Sequence, residues 1–352
     1  MEGKNMKKKG FTLVELLVVI AIIAMLLAIL MPALAKVRTL AQRLMCGTNV
    51  GGIGKAMMTY ASDDKYESYP VAGPGSTIQD LGASANAECS WHWNCKDSPG
   101  STSIQNATPY TSTISACLYL LIKFADVPPE QFLCPGGEEK KFELVNYKTD
   151  TYPGISSFTD VWDFGSWKDT QTNYSRKWGH NSYSYQQPLP LSTTQTPYTK
   201  PHPISATSAP VCIVLADRSP YWMDDTYHTQ IVNNMNDTTT APIWDTVKNE
   251  ISKDYGYRAN SFQHNQDGQN VLYADQHVKF EKLFNAGVDK DNIYTTWNYA
   301  SSDTAFSTKS TTDQAKIKQM HGGIAPSRTM DVGNFSQDDA DTYLIQDFIT
   351  KQ

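Results

Sequence analysis

The stretch Gly10-Phe11-Thr12-Leu13-Val14-Glu15, followed by LLVVIAIIAMLLAILMPAL to Leu34, decides how the chain begins. From Phe11 to Leu34 it is apolar almost throughout. A bilayer core about 30 Å thick is crossed by roughly 20 apolar residues in a helix, so residues 11–34 suffice. Before them stands a short basic leader, residues 1–10, with Lys4, Lys7, Lys8 and Lys9. Cations flanking a span tend to stay on the cytoplasmic side, which would place the rest of the chain outside. Lys36 and Arg38 follow closely and weigh against that bias. Ala33-Leu34-Ala35 offers a small-x-small cleavage site, but the apolar run exceeds the roughly 7–15 residues of a signal peptide. Neither a signal peptide nor a plain anchor explains Glu15. A carboxylate in hydrocarbon costs a few kcal/mol, so it needs a partner or a place at the membrane edge.

The string from Gly10 to Glu15 resembles the processing site of type IV prepilins and type II secretion pseudopilins. It has Gly before the cut, Phe first in the mature chain, Glu fifth, a basic leader and an uninterrupted apolar helix. The resemblance implies cleavage between Gly10 and Phe11 by a prepilin peptidase/methyltransferase, with methylation of the new Phe11 amine. It also implies that Glu15 acts in assembly, pairing with that amine on a neighbouring subunit. Such a pair would offset the burial of both charges. Pro32 falls late in the helix, where a missing hydrogen bond allows a bend.

Beyond the span, Val37, Leu40, Ala41 and Leu44 keep helical spacing, as do Val50, Ile53, Met57 and Tyr60. The pattern predicts one helix continuing over residues 35–62, about 75 Å long from Phe11. Gly47, Gly51, Gly52 and Gly54 weaken it locally and suit close packing against a sheet. A second helix is expected over residues 112–124, a buried strand over 211–216, and a hairpin from strands 270–275 and 277–282. Residues 71–108 read as a long loop, and residues 136–209 as loops and short strands. The organisation expected is a leader (1–10), a membrane helix (11–34), its continuation (35–62), an exported domain (63–285) and an irregular extension (286–352). The fold class is α+β: a long membrane-spanning helix on a small antiparallel sheet, pilin-like, with long loop insertions. A net charge of −6 over 352 residues, without a basic stripe past the N-terminus, argues against a nucleic-acid partner.

Six cysteines are present, at 46, 89, 95, 117, 134 and 212. An even count outside the cytoplasm permits disulfides. By loop length Cys89–Cys95 is the easiest pair and Cys117–Cys134 the second. Cys46 and Cys212 sit in apolar elements and suit buried thiols. Without a CxxC or HxxxH pair the sequence argues against zinc.

The stretch from Ser261 to Phe280 carries His264, Asp267, Gly268, Asp275 and His277. It is similar to the C-terminal signature of large pilin-like proteins of Planctomycetes, Verrucomicrobia and Lentisphaerae, in which a His precedes an Asp-Gly by about nine residues. Here ten residues separate His264 from Asp275, and Gln276 stands where Gly is usual. Other pieces of that group are Cys46 and Asn49, residues 118–121, 132–135, 181–185 and 291–295. Asp267 and Asp275 are candidate calcium ligands through their carboxylates, and His264 or His277 would suit a transition metal. The reading preferred is structural and needs no cofactor: Asp275 shapes the turn, His264 bonds a backbone group and His277 faces solvent.

An enzymatic site could be drawn from Asp217, His228, His264 and Asp267. However, the chain lacks a nucleophile motif, a phosphate loop and paired catalytic carboxylates, which favours a non-enzyme. The function expected is a structural subunit of a type IV pilus-like or type II secretion pseudopilus fibre. Its partners would be other pilin or pseudopilin subunits and the inner membrane, with the bulk of the chain periplasmic or extracellular. The alternative is a membrane-anchored extracytoplasmic carbohydrate- or partner-binding protein, for which the many Trp and Tyr residues would supply stacking surfaces.

Overall fold

The computed structural model describes residues 12–64, 67–71, 114–143, 157–158, 164, 180–186, 204–220, 230–231, 233–234, 240, 242–248, 250–297, 310–314, 323–324 and 344–345. Its first element is the helix α1 (Leu13–Asp63), which runs unbroken through Pro32 and spans 51 residues. One polypeptide segment meets two environments. Large apolar residues from Leu13 to Leu34 are all exposed, and α1 is long and apolar enough to cross a membrane. From Cys46 onward one stripe is buried: Cys46, Val50, Ile53, Gly54, Ala56, Met57 and Ala61. The helix therefore changes from apolar all round to amphipathic, the difference between a lipid-facing and a core-facing helix.

The buried stripe lies on a five-stranded antiparallel sheet. Its strands are β1 (Tyr183–Gln186), β2 (Ile213–Asp217), β5 (Gln269–Tyr273), β6 (Val278–Glu281) and β9 (Leu344–Ile345), in the order β6-β5-β2-β1-β9. Two small ribbons stand apart from it: β3 (Trp244–Asp245) with β4 (Glu250–Ile251), and β7 (Thr296–Trp297) with β8 (Gly323–Ile324). The expected α+β class is thus observed, a long apolar helix with a small antiparallel sheet. Helix α2 (Ile114–Phe124) is buried from Ala116 to Ile122, and Tyr119 packs edge-on against Phe142 and Phe164.

The hairpin expected after Asn270 is present, with strands Gln269–Tyr273 and Val278–Glu281 where 270–275 and 277–282 were expected. β5 and β6 pair through Gln269–Glu281, Asn270–Phe280, Val271–Lys279 and Leu272–Val278. The connecting turn is a three-residue loop in which the Gln276 N–H donates to Tyr273 O and the Tyr273 N–H to His277 O. Gln276 takes a positive φ of 72°, the conformation glycine would favour. Its side-chain amide donates to the Tyr69 hydroxyl at 3.0 Å, which ties the turn to the segment after α1.

Described residues beyond 285 join the core and the sheet. Ile293 and Tyr294 are buried in the core, and β9 pairs with β1 through Tyr185–Ile345 and Gln186–Leu344. The apolar Leu344-Ile345 pair thus closes the edge of a sheet whose other strands come from residues 183–281.

The helical glycines set how closely α1 approaches the hairpin. A Cβ on Gly54 would lie 2.8 and 2.9 Å from the Leu272 methyls, which are fixed in the core. A Cβ on Gly52 would meet mainly the end of the Gln131 side chain, which can swing away. Alanine is worth up to about 1 kcal/mol over glycine in a helix, and overpacking a core costs about 1–3 kcal/mol. Gly54→Ala should therefore lower the unfolding midpoint of the detergent-solubilised protein, while Gly52→Ala should leave it unchanged or raise it. Equal effects in thermal melts would show that α1 does not seat on Leu272.

Candidate functional site

At the N-terminus, Thr12 caps α1. Its hydroxyl accepts the Glu15 N–H at 3.3 Å, and Glu15 Oε2 accepts from the Thr12 N–H at 2.9 Å and the Thr12 hydroxyl at 2.7 Å. Such a reciprocal capping box satisfies donors that the first helical turn leaves open. Glu15 thus has a partner inside its own chain. Gly10 and Phe11, the expected cleavage junction, lie outside the described residues.

The second place of chemical interest lies where α1 first meets the sheet. Cys46 on α1, Cys134 just after the 3-10 turn Pro129–Phe132, Asp217 at the end of β2 and His264 in the 3-10 turn Phe262–His264 converge there. All four are buried, and one ligand-type atom from each lies within 4.8 Å of the others. The Cys46 thiol donates to Asp217 Oδ1 at 2.9 Å. His264 Nε2 lies 3.2 Å from Asp217 Oδ2 and 3.6 Å from Cys134 Sγ. Asp217 Oδ2 also accepts from the Asn270 N–H at 2.6 Å and from its side-chain amide at 3.2 Å. The Gly136 N–H donates to Cys134 Sγ at 3.3 Å, and the Tyr183 hydroxyl lies 3.5 Å from Cys46 Sγ. The Tyr294 hydroxyl donates to the Asp217 carbonyl at 2.9 Å.

The electrostatics follow from burial and these contacts. The neighbouring Cys46 pulls the Cys134 thiol down to about 7, against the effect of burial and with help from His264. Burial first, then Cys134 and Asp217, push Cys46 well up. Burial disfavours a charged His264, but the hydrogen bonds to Asp217 and Cys134 outweigh it and hold the ring up at about 10. Two thiols, an imidazole and a carboxylate, all buried, form a donor set with the chemistry of a metal ligand shell.

A second buried network adjoins it. Glu139 Oε1 accepts from Arg218 Nη1 at 2.8 Å, with side chains only 3% and 5% exposed. Ser182 Oγ donates to Glu139 Oε2 at 2.8 Å, and Gln263 bridges the Arg218 N–H, the Ser182 carbonyl and Glu139.

The hairpin stretch that the sequence groups together is divided by the structure. Only His264 joins the buried cluster. Asp267 forms an ion pair with Arg43 of α1, whose guanidinium also lies over the Phe280 ring at 4.8 Å. Gly268 has φ +148°, and a Cβ there would strike the Glu281 carbonyl. Asp275 and His277 sit at the far end of the hairpin, both about half exposed. The Asp275 carboxylate accepts from the His277 N–H at 3.1 Å and shapes the turn, and the His277 ring stacks on Tyr273. Asp267 and Asp275 thus occupy opposite ends of the hairpin and share no ligand cage.

The cysteines also depart from the expected pairing. Cys117 and Cys134 form no disulfide, because Cys117 lies in the core within α2 while Cys134 faces Cys46 and His264. Cys89 and Cys95 lie outside the described residues, as does His228. The four-residue cluster was not legible as a site, since its members come from four distant segments. Scattered signals did exist. Cys46 with Asn49 and residues 132–135 supply two members of the cluster, and residues 181–185 and 291–295 border it through Tyr183 and Tyr294. The Asn49 amide donates to Leu133 O at 2.9 Å, and the Ser182 N–H donates to Phe132 O at 2.8 Å.

Comparison with known proteins bears on the first place alone. Residues 5–31 match the family model of the prokaryotic N-terminal methylation motif. The chain therefore carries a prepilin-type N-terminal segment. Comparisons with curated proteins and with solved structures gave no match.

Breaking a buried ion pair by removing one partner leaves the other charge uncompensated, at about 3–5 kcal/mol. Glu139→Ala should destabilise the protein by about that amount in denaturant titrations. A loss below about 1 kcal/mol would mean that water reaches Arg218.

Proposed function

We propose that the chain is a structural subunit of a type IV pilus-like or type II secretion pseudopilus fibre. Prepilin peptidase would cut between Gly10 and Phe11, methylate the Phe11 amine, and release the subunit for assembly from the inner membrane with other pilins or pseudopilins. The observation that carries this reading is the methylation motif over residues 5–31 at the head of a bare apolar helix. That helix stays apolar and exposed beyond the expected span: Val37, Leu40, Leu44 and Met45 are each at least half exposed. Outside a bilayer such a surface calls for a cover, and neighbouring copies of the same helix supply one in a fibre. The capping box suits assembly as well. It holds the Glu15 carboxylate on the N–H and hydroxyl of Thr12, the residue that follows Phe11 in the sequence.

The reading of an anchored carbohydrate- or partner-binding protein draws less support. Among the described residues, Tyr69, Tyr119, Tyr183, Tyr185, Tyr294 and Trp244 serve the core, and Tyr255 and Tyr257 are exposed.

Gly10 has no side chain, so an extended scissile segment fits a tight site. Gly10→Val should leave the protein unprocessed, whereas a plain anchored protein would be indifferent. The intact mass of the mature chain should correspond to a methylated Phe11 start; a start at Lys36 would indicate signal peptidase and sink the proposal. Glu15→Ala should still be cleaved yet enter fibres poorly, and normal incorporation would defeat the pairing role of Glu15.

A further inference from the structure

We propose that Cys46, Cys134, Asp217 and His264 bind one Zn2+ ion, which fastens the helix α1 to the sheet. A tetrahedral zinc shell with bonds of about 2.0–2.3 Å places its ligand atoms about 3.3–3.8 Å apart. Cys46 Sγ lies 2.9 Å from Asp217 Oδ1, His264 Nε2 lies 3.2 Å from Asp217 Oδ2 and 3.6 Å from Cys134 Sγ, and one ligand atom from each of the four residues falls within 4.8 Å of the others. Small side-chain adjustments therefore suffice to enclose an ion. Two sulfurs and an imidazole nitrogen select zinc or a similar transition ion over calcium or magnesium, which want oxygen. The absence of an outward-facing ligand fits a closed structural site, and all four residues are buried.

The outer contacts are those a metal site needs. Asn270 holds Asp217 by two donors, Gly136 N–H faces Cys134 Sγ, and the Tyr183 hydroxyl faces Cys46 Sγ. Such partners orient ligands and disperse their charge. Zinc entry displaces the thiol protons of Cys46 and Cys134 and the Nε2 proton of the charged His264, whose neutral ring then ligates through Nε2. Two thiolates, a carboxylate and the dication then sum to one negative charge, which the Asn270 and Gly136 donors face.

The competing outcome is a Cys46–Cys134 disulfide, which an oxidising compartment would permit. It would use two of the four groups and leave Asp217 and His264 to each other and to Asn270. Zinc uses all four. The ion would link α1, the segment after Phe132, the end of β2 and the start of the hairpin, and its binding energy would become folding energy.

The full chain, purified in detergent without chelator or metal-affinity resin, should carry about one zinc per chain by elemental mass spectrometry. Replacement by Co2+ should give the intense visible absorption of a tetrahedral thiolate site. Cys134→Ser and His264→Ala should each lower bound zinc at least about tenfold, while Cys117→Ser, outside the cluster, should retain it. Should those variants fail to fold, the Co2+ spectrum of the unaltered protein still decides. An unaltered protein that folds with intact thiols and takes up neither Zn2+ nor Co2+ would overturn the proposal. So would a mass two hydrogens lower with a mapped Cys46–Cys134 bond and no metal.

Discussion

The seating of the second half of α1 on the β5–β6 hairpin is the contact from which the rest of the structure is organised. Gly54 lets the helix backbone come down onto Leu272, and Cys46, Val50, Ile53 and Met57 fill the interface completely. Each fully buried apolar side chain of this size contributes roughly 1.5–3 kcal/mol. Arg43 reaches past the helix edge to Asp267 and Phe280, and Asn49 holds the Leu133 carbonyl. An element that must also be apolar all round in its first half can offer the domain only its second half. The domain compensates by gripping that half from several sides.

That grip concentrates polar chemistry at one point. The end of β2 brings Asp217 and Arg218 into the interior next to each other, and each is matched by partners from distant segments: Asp217 by Cys46, His264 and Asn270, and Arg218 by Glu139 and Gln263. Buried charges are tolerated only where they are paired and hydrogen-bonded. The two networks are thus conditions on the fold as much as features of it. They tie together α1, the segment after α2, β1 and the hairpin.

Much of the architecture could be read in advance, for local reasons. The apolar run of residues 11–34, the helical spacing of Val50, Ile53 and Met57, the strand at Ile213–Asp217 and the hairpin are all periodic patterns in contiguous residues. The hairpin turn was legible only in part. A glutamine at a position of positive φ gives no sign in sequence that it is held there by a hydrogen bond to Tyr69. The place of Leu344-Ile345 at the sheet edge was likewise hidden, because a two-residue strand has almost no period of its own.

The buried cluster marks the boundary between the two kinds of information. The sequence by itself determined the prepilin-type start, the apolar helix and the α+β class, because cleavage motif, hydropathy and periodicity are properties of neighbouring residues. It also argued against zinc, since the chain has no CxxC or HxxxH pair. Only the tertiary structure brought Cys46, Cys134, Asp217 and His264 within 4.8 Å of one another, and only it separated His264 from Asp267, Asp275 and His277. The physical reason is that those four residues are neighbours through the docking of a helix on a sheet. Spacing along the chain carries no trace of a distance set by packing.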